Sequence, residues 1–208
     1  MDSANFICDS VNYALRRNGL AADRRRVLST LGLPLEQILK RVVPMVEERE
    51  QVIDRCAVDY REYYSANHLG RIRLFPRVAE TLRNLRRMGF PLGVISAKPK
   101  QPVEELLRHL RVLTLFSVVV SGYEVARPKP SPDIILEAAK RLSVHPERCV
   151  VVGDSPRDIE AGRAAGAKTV AILTGPFSRS ALKRTSPDFI LDDVSSLLSL
   201  ALQLTRGI

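Results

Sequence analysis

The sequence predicts an α/β fold, a parallel sheet with helices on both faces, preceded by an all-helical module. Two observations carry that prediction. From residue 73 to 208, short apolar runs alternate with amphipathic stretches about ten residues long, the pattern of strands joined by crossover helices. Residues 1–72 instead read as helix after helix, with Gly19, Gly32, Pro34, Pro44 and Gly70 as stop and start signals.

Each element has its own signal. In the longest segment of the helical module, Val46, Ile53, Tyr60 and Tyr64 recur at helical spacing among Glu, Arg and Asp. Tyr13, Tyr63 and Tyr64 suit an inner face of the module or its core, and aromatics at this spacing are more often core. A helix from Pro76 to Met88, stopped by Gly89, leads to a strand in "PLGVIS" and a helix near 101–110. A strand in "FSVVVSG" and a helix over 132–142 follow, then the strand "CVVVG" and a helix over 156–165 ended by Gly166. The strand "TVAIL" and the run "FILDD" precede a C-terminal helix, and there is no internal repeat or low-complexity tract.

The 208 residues are 45% hydrophobic and 26% charged, an ordinary globular balance that argues against disorder. A formal charge of +9 favours anionic substrates in general. The densest cluster, "DRRRV" at 23–27, lies in a short helical stretch without interleaved aromatics, so a solvated basic face is favoured over a nucleic-acid site. Cys8, Cys56 and Cys149 lie far apart, with neither metal-ligand spacing nor a disulfide framework, which fits a reducing cytoplasm. Neither a signal peptide nor an apolar run of the ~20 residues a membrane span needs is found. His68, His109 and His145 form no ligand cluster.

Ligands of open parallel sheets bind beyond the carboxyl ends of the strands. The loops leaving those ends are "SAKPK" at 96–100, "SGYEVARPKPSPD" at 121–133, "GDSPRD" at 153–158 and "TGPFS" at 174–178. They place the Ser96 hydroxyl, the Lys129 ammonium and the Asp154 and Asp158 carboxylates on one rim. A phosphoryl group bound with a divalent cation needs this set, donors and a positive charge for its oxygens and carboxylates for the metal. Lys129 alone also fits a surface lysine in a proline-rich turn, with Arg127 as an exposed alternative cation. Ser131 or Asp133 suits a cap for the next helix, and Asp154 or Asp158 a cap or first-turn residue of the helix opening near Pro156. The capping reading does not explain why Gly153 and Asp154 directly follow an apolar strand end.

The stretches "VISAKPK", "RPKPSPD" and "VVGDSPRDIEAGRAAGAKTVAI" resemble the second, third and fourth motifs of the haloacid dehalogenase-like hydrolases, in the helical-cap branch that contains phosphoglycolate phosphatases. The resemblance covers nearly the whole chain. It implies a Rossmann-like parallel-sheet core over 73–208, a helical cap over 1–72, and Mg2+-dependent hydrolysis of a small phosphorylated metabolite, with phosphoglycolate as first candidate. By the same resemblance Ser96 and the backbone N–H of Ala97 hold the phosphoryl group, although the family more often has asparagine where Ala97 stands. Lys129 neutralises charge, Asp154 binds Mg2+ and Asp158 supports the metal site.

Members of that family open with an apolar strand and an Asp-x-Asp-Gly-Thr loop, whose first aspartate is the nucleophile and whose second is the general acid and base. The chain "MDSANFICDSVNYALRRNGL" instead resembles the residues just after that loop. Asp2 would match the cap entry and Asp9 lies in a helical pattern, so neither is a nucleophile. In the family that strand lies between the strands at 91–95 and 149–153, so its absence leaves a central gap or forces those two to pair. The expectation is an N-terminally shortened phosphatase without turnover. The alternatives are a non-catalytic phosphate-binding or interaction protein and, lower still, a nucleic-acid binder. A monomer and a homodimer fit equally.

Overall fold

The computed structural model describes residues 1–206 and divides into two compact units, Met1–Arg73 and the residues from Leu74 on. The first unit is built of four helices, α1 (Ala4–Arg17), α2 (Arg24–Ser29), α3 (Leu35–Val42) and α4 (Arg49–Arg71), closed by an antiparallel bridge between Asp2 and Arg73. Helix α1 packs along α4, burying Phe6, Cys8, Val11 and Leu15 against a stripe that includes Ile53, Cys56, Tyr60, Tyr64 and His68. Tyr64 is core, stacked between Tyr60 and His68 with centroids 5.6 and 5.0 Å apart, whereas Tyr13 and Tyr63 form a half-buried stack at 4.2 Å. Val46 falls before α4 and is exposed, because left-handed Glu48 starts the helix later than the periodicity suggests. The arginine run opens α2, where Asp23 accepts from Arg25 N as N-cap and Arg24 pairs with Asp9 at 2.9 Å.

The second unit alternates helix and strand: α5 (Val78–Arg87), β1 (Gly93–Ser96), α6 (Lys100–His109), β2 (Val118–Ser121) and α7 (Asp133–Arg141). It continues through β3 (Val150–Gly153), α8 (Pro156–Ala164), β4 (Lys168–Ile172), α9 (Arg179–Lys183), β5 (Phe189–Leu191) and α10 (Leu197–Arg206). All pairings are parallel, as the βα alternation requires. Helices cover both faces. On one, Ile95, Val120 and Val151 share a core with Ile134, Ile135 and Ala138 of α7 and Ala161 of α8. On the other, Val94 and Val119 meet α5 and α6, while Val170 and Ile172 meet Leu197 and Leu200 of α10.

Hydrogen bonding divides the strands into a pair, β1–β2, and a triplet, β3–β4–β5. Among the described residues β1 and β3 each keep one edge without a strand partner, although α7 packs on β1 and on α8, which lies over β3. On β3, Val152 is 38% exposed although its β4 partner Val170 is buried, and Val150, which pairs with the exposed Lys168, is 42% exposed. Four-residue strands in a covered parallel sheet are normally buried on both faces. Among the described residues no helix is long and apolar enough to cross a membrane.

Candidate functional site

The carboxyl ends of the strands form the site. After β2 the chain enters "ARPKPSPD", and Lys129, only 8% exposed, sends its ammonium to Asp158 Oδ1 at 2.6 Å. Asp158 stands in the first turn of α8, so this contact joins the end of β2 to the end of β3. Its second oxygen, Oδ2, accepts from Ser155 Oγ at 2.6 Å and from Ser155 N at 3.2 Å. Ser155 caps α8 while accepting from Asp158 N, and Pro156 occupies the first helical position, where no N–H is needed.

Burial by itself would raise the Asp158 carboxyl, but the charge and hydrogen bond of Lys129, with the Ser155 donors, hold it below the usual carboxylate range. Asp154 moves the other way. Burial and the neighbouring Asp158 charge raise its carboxyl against the pull of Lys129. Two carboxylates four positions apart are thereby separated into one neutralised by a lysine and one under electrostatic pressure to take up a proton or another cation.

At the end of β1, Ser96 Oγ accepts from Lys98 N at 3.1 Å, turning the chain, and Ser121 Oγ donates to the Lys98 carbonyl at 2.7 Å, tying the ends of β1 and β2 together. Ala97 lies in this turn beneath Gly122, where a methyl would approach the Ala97 Cα to 3.4 Å. Burial pushes the Lys98 ammonium down to about 7. Neither Lys98, whose backbone ties the ends of β1 and β2, nor Ser155 is among the residues expected from sequence. Ser155 had a legible signal, the Ser-Pro-Arg-Asp capping box; the depressed lysine had none.

Several capping expectations are corrected. The N-cap of α8 is Ser155 and not Asp154, and α7 begins after Pro132 with no side-chain cap from Ser131 or Asp133. Asp133 instead binds Arg127, with Arg127 Nη2 to Oδ1 at 2.9 Å and Nε to Oδ2 at 3.2 Å, while Ser131 Oγ donates to Oδ1 at 2.6 Å. The Arg127 hydrogen bond is the main reason the Asp133 carboxyl sits at about 2. Arg127 is therefore committed to Asp133, and Lys129 is the buried cation of the rim. Asp2 lies at the bridge to Arg73 and Asp9 inside α1, paired with Arg24.

The strand ends of the parallel core thus carry a buried lysine–aspartate pair and a second aspartate, an arrangement suited to a hydrolase that handles anionic groups. The family model described as haloacid dehalogenase-like hydrolase matches residues 1–172, and the chain belongs to that family. A phosphoglycolate phosphatase of Escherichia coli is 40% identical over a 218-residue alignment that covers 95% of this chain and 86% of that protein. Pyrophosphatase PpaX of Bacillus cereus is 32% identical over 177 residues, 83% of this chain and 82% of its own. The crystal structure of a predicted phosphoglycolate phosphatase from Haemophilus somnus matches with a TM-score of 0.87 at 26% identity, covering 96% of this chain and 92% of that one.

Proposed function

We propose that the rim is the phosphoryl site of a Mg2+-dependent phosphomonoesterase acting on a small phosphorylated metabolite, with phosphoglycolate as the first candidate. The observation that carries this is Lys129, buried and held by Asp158 at 2.6 Å where a surface lysine would lie in solvent. Residues 73–208 are the catalytic core and residues 1–72 the cap. Ser96 and the Ala97 N–H bind phosphoryl oxygens, and Lys129 neutralises their charge. Asp154 holds the cation; Asp158 supports it from behind, by orienting Lys129 and by raising the negative potential at Asp154.

The residues present fit Mg2+. Among the described residues no three His, Cys, Asp or Glu side chains cluster as ligands. Mg2+ is commonly held by one or two carboxylates, with substrate phosphate and water completing its shell, so a half-buried carboxylate raised by desolvation and by an anionic neighbour suits it. When bound, it supplies positive charge against the phosphoryl oxygens.

We infer that the chain has no turnover of its own, a reading supported by Asp2 lying at the bridge to Arg73 and Asp9 inside α1, paired with Arg24, where neither leaves a strand end of the core. The open edges of β1 and β3 and the exposed Val150 and Val152 support the view that one strand is wanting between them. A chain prefixed with an apolar strand and an Asp-x-Asp-Gly-Thr loop of the family pattern should hydrolyse phosphoglycolate with Mg2+ and lose that activity on Asp154→Asn. Hydrolysis by the unprefixed chain refutes the inactivity; a folded, prefixed chain inert toward phosphomonoesters refutes the phosphatase reading. In that last case phosphate binding abolished by Lys129→Met would favour the non-catalytic alternative. A monomer or homodimer in the cytoplasm fits either reading.

A further inference from the structure

Two glycines lie against the two carboxylates of the site. A methyl on Gly153 would stand 2.2 Å from Asp158 Cβ, and one on Gly175 would stand 2.4 Å from Asp154 Cβ and 2.5 Å from Asp154 Oδ2. Nonbonded carbons sit about 3.5 to 4.0 Å apart, so neither position accepts a side chain without movement. Gly175 lies in the loop from β4 to α9, remote in sequence from Asp154. The glycines with positive φ are Gly19, Gly32, Gly89 and Gly166, so backbone conformation is not what demands glycine at 175. Space alone does.

The atom struck first is the Asp154 Cβ, whose place is set by the backbone leaving β3. Rotation of the aspartate side chain therefore cannot relieve the overlap; the loop or the strand end has to shift. The loop is anchored at both ends. Leu173 N donates to Leu191 O at 3.0 Å, and Ser178 caps α9 by accepting from Ala181 N at 3.2 Å. Behind it Leu182 is fully buried in a cluster with Ile159 of α8 and Ala171 of β4.

We propose that Gly175 is a positioning residue of the site: its bare backbone is a rigid backstop that sets where the Asp154 carboxylate points on the rim. The proposal rests on Asp154 being the cation ligand. Groups that orient a ligating carboxylate typically carry about 10- to 100-fold in metal affinity.

The test is binding of Mn2+ alone to the 208-residue chain, followed by the loss of the free-ion electron paramagnetic resonance signal. The unmodified chain should bind saturably and Asp154→Asn should abolish binding. Gly175→Ala, folded by circular dichroism, should bind about tenfold more weakly or worse, and adding it to Asp154→Asn should change nothing further. Unchanged affinity in Gly175→Ala, alongside loss in Asp154→Asn, overturns the proposal and leaves the cation reading standing. No binding by the unmodified chain, or equal binding by Asp154→Asn, overturns both. Should Gly175→Ala fail to fold, Asp154→Gly is added to remove the struck Cβ; recovery of the fold supports the contact, and failure to recover it overturns the proposal.

Discussion

Replacing Asp158 with alanine strands the Lys129 ammonium in the interior. The pair is buried, with both residues 8% exposed and Nζ 2.6 Å from Oδ1. Removing one partner of such a pair costs about 3 to 5 kcal/mol, because the remaining charge stays desolvated. Asp158 also reciprocates the Ser155 cap of α8, which adds about 1 kcal/mol. The sum is about 4 to 6 kcal/mol, a large share of the roughly 5 to 15 kcal/mol by which domains are stable. Urea unfolding followed by far-ultraviolet circular dichroism measures it. Adding Lys129→Met to Asp158→Ala should recover about half or more of the loss, since an apolar side chain of similar volume removes the stranded charge. The folded-state Asp158 carboxyl lies below its unfolded value, so the pair's contribution is present above pH ~3.9 and is lost as pH falls through the folded pKa. The two chains should therefore converge in stability in strong acid. A cost below about 1 kcal/mol, or no recovery on adding Lys129→Met, refutes the reasoning, because either result means the ammonium reaches solvent or another acid.

The other predictions concern single groups. Gly153→Ala should destabilise by about 1 to 3 kcal/mol or more through overlap with the Asp158 Cβ, while Gly70→Ala in α4, with nothing within 4 Å of the added methyl, should be neutral or stabilising; equal thermal shifts for the two would contradict the packing. His68 is buried with Nδ1 3.1 Å from the Tyr64 carbonyl and Nε2 without a partner among the described residues. An apolar ring there keeps the stack on Tyr64, so His68→Phe should change stability by less than about 1 kcal/mol or increase it, and a loss above about 2 kcal/mol would reveal a partner for Nε2. Lys98, at about 7, binds fewer protons folded than unfolded between pH 7 and its ordinary value, so its cost is full below pH 7 and fades as pH rises. Lys98→Met should thus gain stability over the unmodified chain at pH 6 and lose that advantage by pH 10; a difference independent of pH would sink the assignment.

Sequence alone determined the alternation of apolar runs and helices, the rim loops and the "VVGDSPRDIEAGRAAGAKTVAI" stretch, because strand and helix periodicity, glycine stops and the Ser155–Asp158 capping box are local properties. Helix boundaries came within a few residues, as in Asp133–Arg141 against the predicted 132–142. Which charges meet was beyond it. Lys129 and Asp158 lie 29 residues apart, and only the packing of α7 and α8 on the sheet brings them to 2.6 Å. The same holds for Arg127, which is exposed as expected but also bound to Asp133, and for Gly175, which looks like any turn glycine until its loop folds back on Asp154. Tertiary structure also decided that the strands hydrogen-bond as a pair and a triplet, with β1 and β3 each at the end of its sheet among the described residues. Pairing, burial and charge depend on which loops arrive at the same place, and that information is carried by the fold as a whole and not by any single stretch of residues.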